Sequence, residues 1–574
     1  MANIKAVIGS FAAVLVVAAV MAVVGTVYTY RHKPPPPSSD DPTSIKSLCG
    51  QTDYSELCMR TVGGHVNSSA AQPKAIIRAA FEAAVVSVSD AHRLSDNVSA
   101  GAADEFNRNA FADCKSLLDF ATEELQAAIT ESDDVARKAD DIKTWLSAVL
   151  TYQETCVDGI TQPELQDAMR KGGMETASQA TSNAIAFVDI LSPLLNSFKL
   201  TSSGRRLLSA EEGKHPSWFL QHDRKLVAAQ SRGELRPNVV VAQDGRGDFS
   251  SINQALTAMP KNYAGRYVIY VKAGVYKEYV KVTKDMNRVF MYGDGPRKTI
   301  VTGSKNYVDG VGTMNTATFG SPLSIPTGQL NYRSLMIVDY DCAAVVGQGF
   351  IAKSMGFSNT AGPLKHQAVA LRVQSDMAAF FNCRMDGYQD TLYAHTHRQF
   401  YRNCVISGTV DFIFGDSAAV LQNCLIIVRR GMDGQQNTVT AHGRKEARSN
   451  TGLVIQNCRI VPEKRLFPDR LRIPSFLGRP WKAYSRTVVM ESTVGDLIRP
   501  EGWMPWDGNL YLDTLYYAEY GNRGPGAGTS GRVKWRGFHV IDKPTAQRFT
   551  VNSFIKGNLW IPYAGIRYLG GLKY

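Results

Sequence analysis

A chain of 574 residues is long enough for more than one domain, and 44% hydrophobic residues exclude a disordered protein. The net charge of +12 is unevenly placed: residues 1–226 hold 21 Lys and Arg against 27 Asp and Glu, a balance of −6, and residues 227–574 hold 43 against 25, a balance of +18. A basic half on an exported chain points to an acidic polysaccharide or a membrane surface as partner, and away from nucleic acid.

From Ala6 to Tyr30 there is no charged residue, a run long enough to span a bilayer, and "RHKPPPPSSDDP" follows as a basic stop and a proline-rich linker. Residues 1–33 are predicted to be a signal anchor or uncleaved signal sequence and residues 34–44 a linker, which places the bulk of the protein in the lumen or outside the cell. Cysteine usage fits export, since eight of the nine fall into local pairs: Cys49 with Cys58, Cys114 with Cys156, Cys383 with Cys404 and Cys424 with Cys458, leaving Cys342. Sequons at Asn67 and Asn97 are glycosylation candidates.

Residues 45–200 carry helical periodicity. In "IKTWLSAVLTYQETCVDGI" the residues Ile142, Leu146, Val149, Gln153, Cys156 and Ile160 recur at three and four, and three further stretches do likewise. An all-α four-helix bundle is expected, with no catalytic constellation of its own. Residues 201–236 form a linker with two dibasic sites, Arg205–Arg206 and Arg224–Lys225, which favour proteolytic maturation.

Residues 237–574 change to short β-branched and aromatic runs cut by Gly and Asn. Asn359, Asn382, Asn403, Asn423 and Asn457 stand 23, 21, 20 and 34 apart, about one coil of a parallel β-helix each, the last step containing a loop. An antiparallel sandwich or propeller fits the composition but not the repeated Asn-Cys turn. On stacked coils "GYQDTLY" and "GTVDFIFG" put Asp390 and Asp411 side by side. Two close carboxylates do not both ionise easily, so such a pair splits into a protonated acid and an ionised nucleophile or base.

The motifs "GVYKE" (274–278), "QAVAL" (367–371), "GYQDTLY" (387–393), "DFIFG" (411–415) and "LGRPW" (477–481), with the paired cysteines and "TYQETCVDG" of the helical half, resemble plant pectin methylesterases made with an N-terminal inhibitor-like pro-region. The resemblance implies a right-handed parallel β-helix that hydrolyses methyl esters of homogalacturonan, in the cell wall and without a cofactor. It implies Asp411 as nucleophile, Asp390 as proton donor and then base, Gln389 and Gln367 as donors to the oxyanion, and Thr313, Arg479 and Trp481 as substrate contacts. It also implies cleavage of the linker by a subtilisin-like protease, and partnership with inhibitor proteins. Trp503 and Trp506 in "EGWMPW" are read either as an extension of the sugar-stacking surface or as core. His395 and His397 in "HTH" lack a third ligand and are expected to be a solvated pair; no metal site is expected.

Two rivals stand beside this reading: a pectin depolymerase on the same fold, and a non-catalytic wall-binding or inhibitor protein acting through its helical half. The sequence also departs from the family it resembles. Residues 320–343, "GSPLSIPTGQLNYRSLMIVDYDCA", interrupt a coil beside the expected cleft and carry Cys342, as either a surface loop or a retained in-frame intron.

Overall fold

The computed structural model describes residues 45–63, 73–202, 236–319 and 346–574. The Ala6–Tyr30 stretch, the Asn67 sequon, the dibasic residues Arg205, Arg206, Arg224 and Lys225, and the 320–343 segment with Cys342 lie outside the described residues. Among the described residues no helix is long and apolar enough to cross a membrane.

Four long helices form the first unit: α1 (Pro73–Ser99), α2 (Glu105–Thr130), α3 (Val135–Gly159) and α4 (Glu175–Ser202). The start of α2 is set by Asp104, whose side chain accepts from the Asn107 backbone N–H. The stripe predicted on α3 is its core face, with Ile142, Leu146, Val149, Gln153 and Cys156 all buried. The same helix also buries Thr151, Tyr152 and Glu154. A helix buried on more than one face is covered by something besides its own bundle. Disulfides Cys49–Cys58 (Cα–Cα 5.5 Å) and Cys114–Cys156 (4.2 Å) are present, the second tying α2 to α3. Asn97 is exposed near the end of α1.

The second unit is a parallel β-helix whose coils contribute to sheets of eleven, eight and five strands. The five-stranded sheet carries the chemistry and consists of β1 (Leu371–Val373), β2 (Leu392–Ala394), β3 (Ile413–Gly415), β4 (Asn437–His442) and β5 (Ser475–Pro480). Inside the coils, like residues stack on like, as in the Phe380 and Tyr401 rings 5.0 Å apart.

Asn382, Asn403, Asn423 and Asn457 all take left-handed backbone angles, φ +52° to +57°, at one corner of successive coils. A short polar side chain tolerates that conformation and bonds its neighbour, as when Asn423 Nδ2 donates to Asn403 Oδ1 at 2.6 Å. The first rung of the ladder is Ser354 (φ +56°), whose Oγ accepts from Asn382 Nδ2. Asn359, predicted to belong to the ladder, instead ends a strand and is buried, donating to the carbonyls of Lys305, Thr316 and Val369.

The residue after each asparagine points inward, so Cys383, Cys404, Cys424 and Cys458 form a buried row of neighbouring sulfurs. They are four free thiols, which corrects the expected Cys383–Cys404 and Cys424–Cys458 disulfides. Their sulfurs also lie near backbone carbonyls, Cys383 Sγ 3.5 Å from the Ala352 oxygen and Cys404 Sγ 3.4 Å from the Phe380 oxygen.

Near the C-terminal end of the stack the Glu519–Arg532 ion pair (2.7 Å) is about 1% exposed on each side, and Trp503, also buried, stacks on Tyr517 and donates its Nε1–H to Glu519. Arg532→Met therefore strands a buried carboxylate and is expected to destabilise this unit by about 3–5 kcal/mol. Chemical denaturation checks this, and a loss below about 1 kcal/mol would mean that water reaches the pair.

Candidate active site

Register brings the two aspartates together. Leu392 of β2 pairs with Ile413 of β3, so Asp390 and Asp411, each two residues upstream, occupy the same corner on adjacent coils. Both take left-handed backbone angles, φ +61° and +49°, a strain of roughly 1–3 kcal/mol for a non-glycine residue. The turn also needs Gly408, because a Cβ there would lie 2.2 Å from that of Phe412.

The two carboxylates live in different surroundings. Asp411 accepts from Arg479 through Nε (2.9 and 3.1 Å) and Nη2 (2.6 Å), and from the Thr438 hydroxyl at 2.6 Å. Burial works against the charge of Arg479, but its bonds to Asp411 outweigh that and hold it cationic. Asp390 has no such cation of its own. Burial first, and the Asp411 charge second, push its carboxyl well above the ordinary range, with Arg479 pulling weakly the other way.

Gln367, Gln389 and Thr313 line the same cavity as Asp390, Asp411, Arg479 and Trp481. Tyr393 and Phe414, stacked at 4.3 Å on β2 and β3, continue to Trp481 at 6.1 Å as an aromatic floor. Gly443 leaves room for the Trp481 ring; a Cβ there would sit 2.7 Å from it. Trp506 lines the cavity with the Arg479 guanidinium 4.3 Å from its ring centre, whereas Trp503 is core, so the two tryptophans of "EGWMPW" divide between the alternatives. Among the described residues there is no group of three or more His, Cys, Asp or Glu able to hold a metal ion.

The far wall of the cavity comes from the helical unit, through Phe106, Asp113 and Leu117 of α2 and Thr155 and Asp158 of α3. This explains the doubly buried α3. Lys482, next to Trp481, binds Glu154 (2.6 Å) and Asp158 (2.8 Å), and Lys445 binds Glu154 at 2.7 Å. Arg398 binds Asp141, Arg448 binds Asp53, and Asn315 Nδ2 donates to Asp113 at 2.5 Å. In each of these ion pairs the acid belongs to the helices and the base to the β-helix.

His395 and His397, expected to be solvated, are buried in this interface. Arg372 donates to His395 Nδ1 (3.1 Å), which leaves Nε2–H to donate to Thr155 Oγ1 (3.0 Å). Burial and Arg372 hold that ring well below the usual imidazole value, and so neutral. His397 meets Glu124 at 3.3 Å, and that carboxylate outweighs burial and raises it. Sequence reasoning also missed Thr438, Phe414 and Tyr393. Only the register along β2, β3 and β4 reveals them.

A group raised in the folded state contributes stability that is complete below its unfolded value, near 3.8 for Asp390, and is lost as pH climbs through the folded value. Asp390→Asn removes that loss. Its melting temperature is expected to match the parent's at about pH 4 and to exceed it increasingly as pH rises. A gap that narrows with pH would mean Asp390 is ionised in the folded chain.

Comparison with known proteins places these features among relatives. The family described as Pectinesterase matches residues 238–325 and 320–558, breaking where the 320–343 segment begins, and the family described as plant invertase/pectin methylesterase inhibitor matches residues 43–187. An Arabidopsis thaliana protein whose name joins pectinesterase to pectinesterase inhibitor is 44% identical, over 93% of this chain and 86% of its own length. Pectinesterase 1 of Citrus sinensis is 42% identical, over 92% and 88%. Among solved structures, a pectin methylesterase from carrot is 50% identical, covers 59% of this chain and 98% of its own, and superposes with a TM-score of 0.54.

Proposed function

The chain belongs to the pectinesterase family and is a pectin methylesterase, a carboxylic ester hydrolase, carrying an inhibitor-type helical region; from that premise we propose how its residues share the work. Asp411, gripped by the Arg479 guanidinium, attacks the C6 ester carbonyl of a methylated galacturonate unit and forms an acyl-enzyme. Amide N–H groups of Gln389 and Gln367 donate to the oxyanion of the tetrahedral intermediate. When that intermediate collapses, Asp390 gives its proton to the departing methoxide, and methanol leaves. Asp390, now ionised, takes a proton from water as the water attacks the acyl carbon, which frees the galacturonate carboxylate and returns Asp411. Trp481 and Thr313 seat the sugar. The observation that carries this reading is the divergence of two stacked carboxylates, one clamped by a guanidinium and the other pushed toward its neutral form.

Asp411→Ala is expected to lower methanol release from methylated pectin by at least ~10³-fold with pectin binding largely kept. A variant holding a tenth of the activity would remove Asp411 from the nucleophile role. Methanol release without shortening of the polymer separates this reading from a depolymerase, and methanol release at all separates it from a non-catalytic wall-binding protein.

The helical unit, seated over the cleft through acid-to-base pairs, supports a role as inhibitor of its own enzyme until the linker is cut. The proposal includes a subtilisin-like protease acting at Arg205–Arg206 or Arg224–Lys225, the 1–33 segment as membrane anchor before processing, and a cell-wall destination for the released enzyme. Changing the four dibasic residues to Ala is expected to retain an uncut precursor inside the cell, with little activity on polymeric pectin. An uncut chain as active on polymer as the cut one would refute inhibition and leave targeting as the role of the helices.

A further inference from the structure

The helices cover the cleft without filling it. Beneath them remains a cavity of about 1230 Å³ bounded by both units, with Asp390, Asp411, Gln367 and Gln389 on its wall. That exceeds the range of about 300–1,000 Å³ common for small-molecule sites, so the space is ample for one sugar unit or two. No side chain of the helices displaces the catalytic pair: Arg479 and Thr438 still grip Asp411, while Asp390 keeps its raised carboxyl. The cavity also has a mouth. Glu105, Arg108 and Asn109 at the start of α2, and Asp309 and Gly310 opposite them, line it and are exposed.

The interface is closed at both ends of the five-stranded sheet. At the β1 end Asn315 is bonded to Asp113, and at the β5 end Lys482 is held by Glu154 and Asp158. A long polysaccharide crossing the coils has to part both contacts, whereas a molecule of one or two sugars has to part neither.

We propose that the uncut chain is an assembled esterase for small uronate methyl esters, closed only to the polymer, so that the helical unit selects substrates by length and does not switch off the chemistry. The proposal rests on the ester-hydrolase reading above. The reaction balances with water alone: the ester C–O bond is cleaved, water supplies the hydroxyl of the acid and the proton of the alcohol, and one methanol leaves per carboxylate formed.

The test uses the full chain with Arg205, Arg206, Arg224 and Lys225 changed to Ala, beside the same chain opened by Glu154→Lys and Asp141→Lys, which break ion pairs to Lys482, Lys445 and Arg398 outside the cavity lining. A second opened form, Lys445→Glu with Arg448→Glu, guards against misfolding of the first. Methanol release is measured from the methyl ester of galacturonic acid, from its dimer and from methylated polygalacturonate; binding of the monomer ester is followed by saturation-transfer NMR. Opening is expected to raise kcat/KM on the polymer at least about 100-fold while changing that on monomer and dimer by less than about fivefold. A parallel rise on all three substrates would overturn the proposal, showing that the docked helices shut the site itself.

Opened chains that act on polymer alone would refute the small-ester activity proposed here, and monomer binding then reports access to the site by itself. Equal monomer binding by closed and opened chains upholds an accessible site, and binding lost in the closed chain, or absent from both, refutes it. Opened chains that bind the monomer but release methanol from nothing would refute the esterase reading, and with it the activity proposed here, while leaving the measured access of small ligands intact.

Discussion

Everything in the catalytic half depends on parallel register between coils. Because each strand pairs residue for residue with the strand one coil away, whatever recurs at a coil's length becomes a row in space. The same constraint makes an outer row from Ser354, Asn382, Asn403, Asn423, Asn457 and Glu491, all left-handed, and an inner row of cysteines beside it. At the corner before the five-stranded sheet it makes a third row, Val369, Asp390, Asp411 and Thr438. The first two rows maintain the stack. The third places two acids against one another, which no unconstrained surface would favour.

The chemistry follows from the asymmetry of that pair. One acid has a fork of guanidinium donors and a hydroxyl, and the other has burial and a negative neighbour. Their strained backbone and desolvation are unfavourable, and they persist because the packed coils on both sides leave the corner no other conformation. The aromatic floor arises the same way, from Tyr393 and Phe414 at equivalent positions of paired strands.

Contact between the two units combines short charged pairs with an apolar patch, where Met314, Tyr393 and Phe414 of the β-helix join the core of the helices. Opposite net charges attract only weakly across more than about 10 Å of salt solution, so the short pairs have to carry the orientation. Glu154 illustrates this: it is buried and meets Lys482, Lys445 and Arg170 together, a geometry in which opposing charges outweigh burial and keep its carboxyl depressed. Glu154 and Asp158 lie in "TYQETCVDG", so the run that packs the bundle on one face presents its acids to the enzyme half on another.

Amino-acid order alone determined the two units, the helical stripe of α3, the coil repeat and the adjacency of Asp390 and Asp411, because each follows from a local period: 3.6 for a helix, about 21 for a coil. Tertiary structure decided what depends on direction and burial. Spacing marked four cysteines as near neighbours, but near neighbours on adjacent coils are not thereby bonded, and they stand as thiols. It also marked five asparagines as one ladder, but strand register put Ser354 in place of Asn359. Nothing in "HTH" or "EGWMPW" tells whether a ring meets water, core or another domain; His395 and His397 are buried by the helices, Trp503 by its own coil, and Trp506 reaches the cleft. Thr438 and the residue contacts that seat the helices over the cleft were invisible for the same reason, since their partners are 27 to more than 300 residues away and only packing brings them into contact.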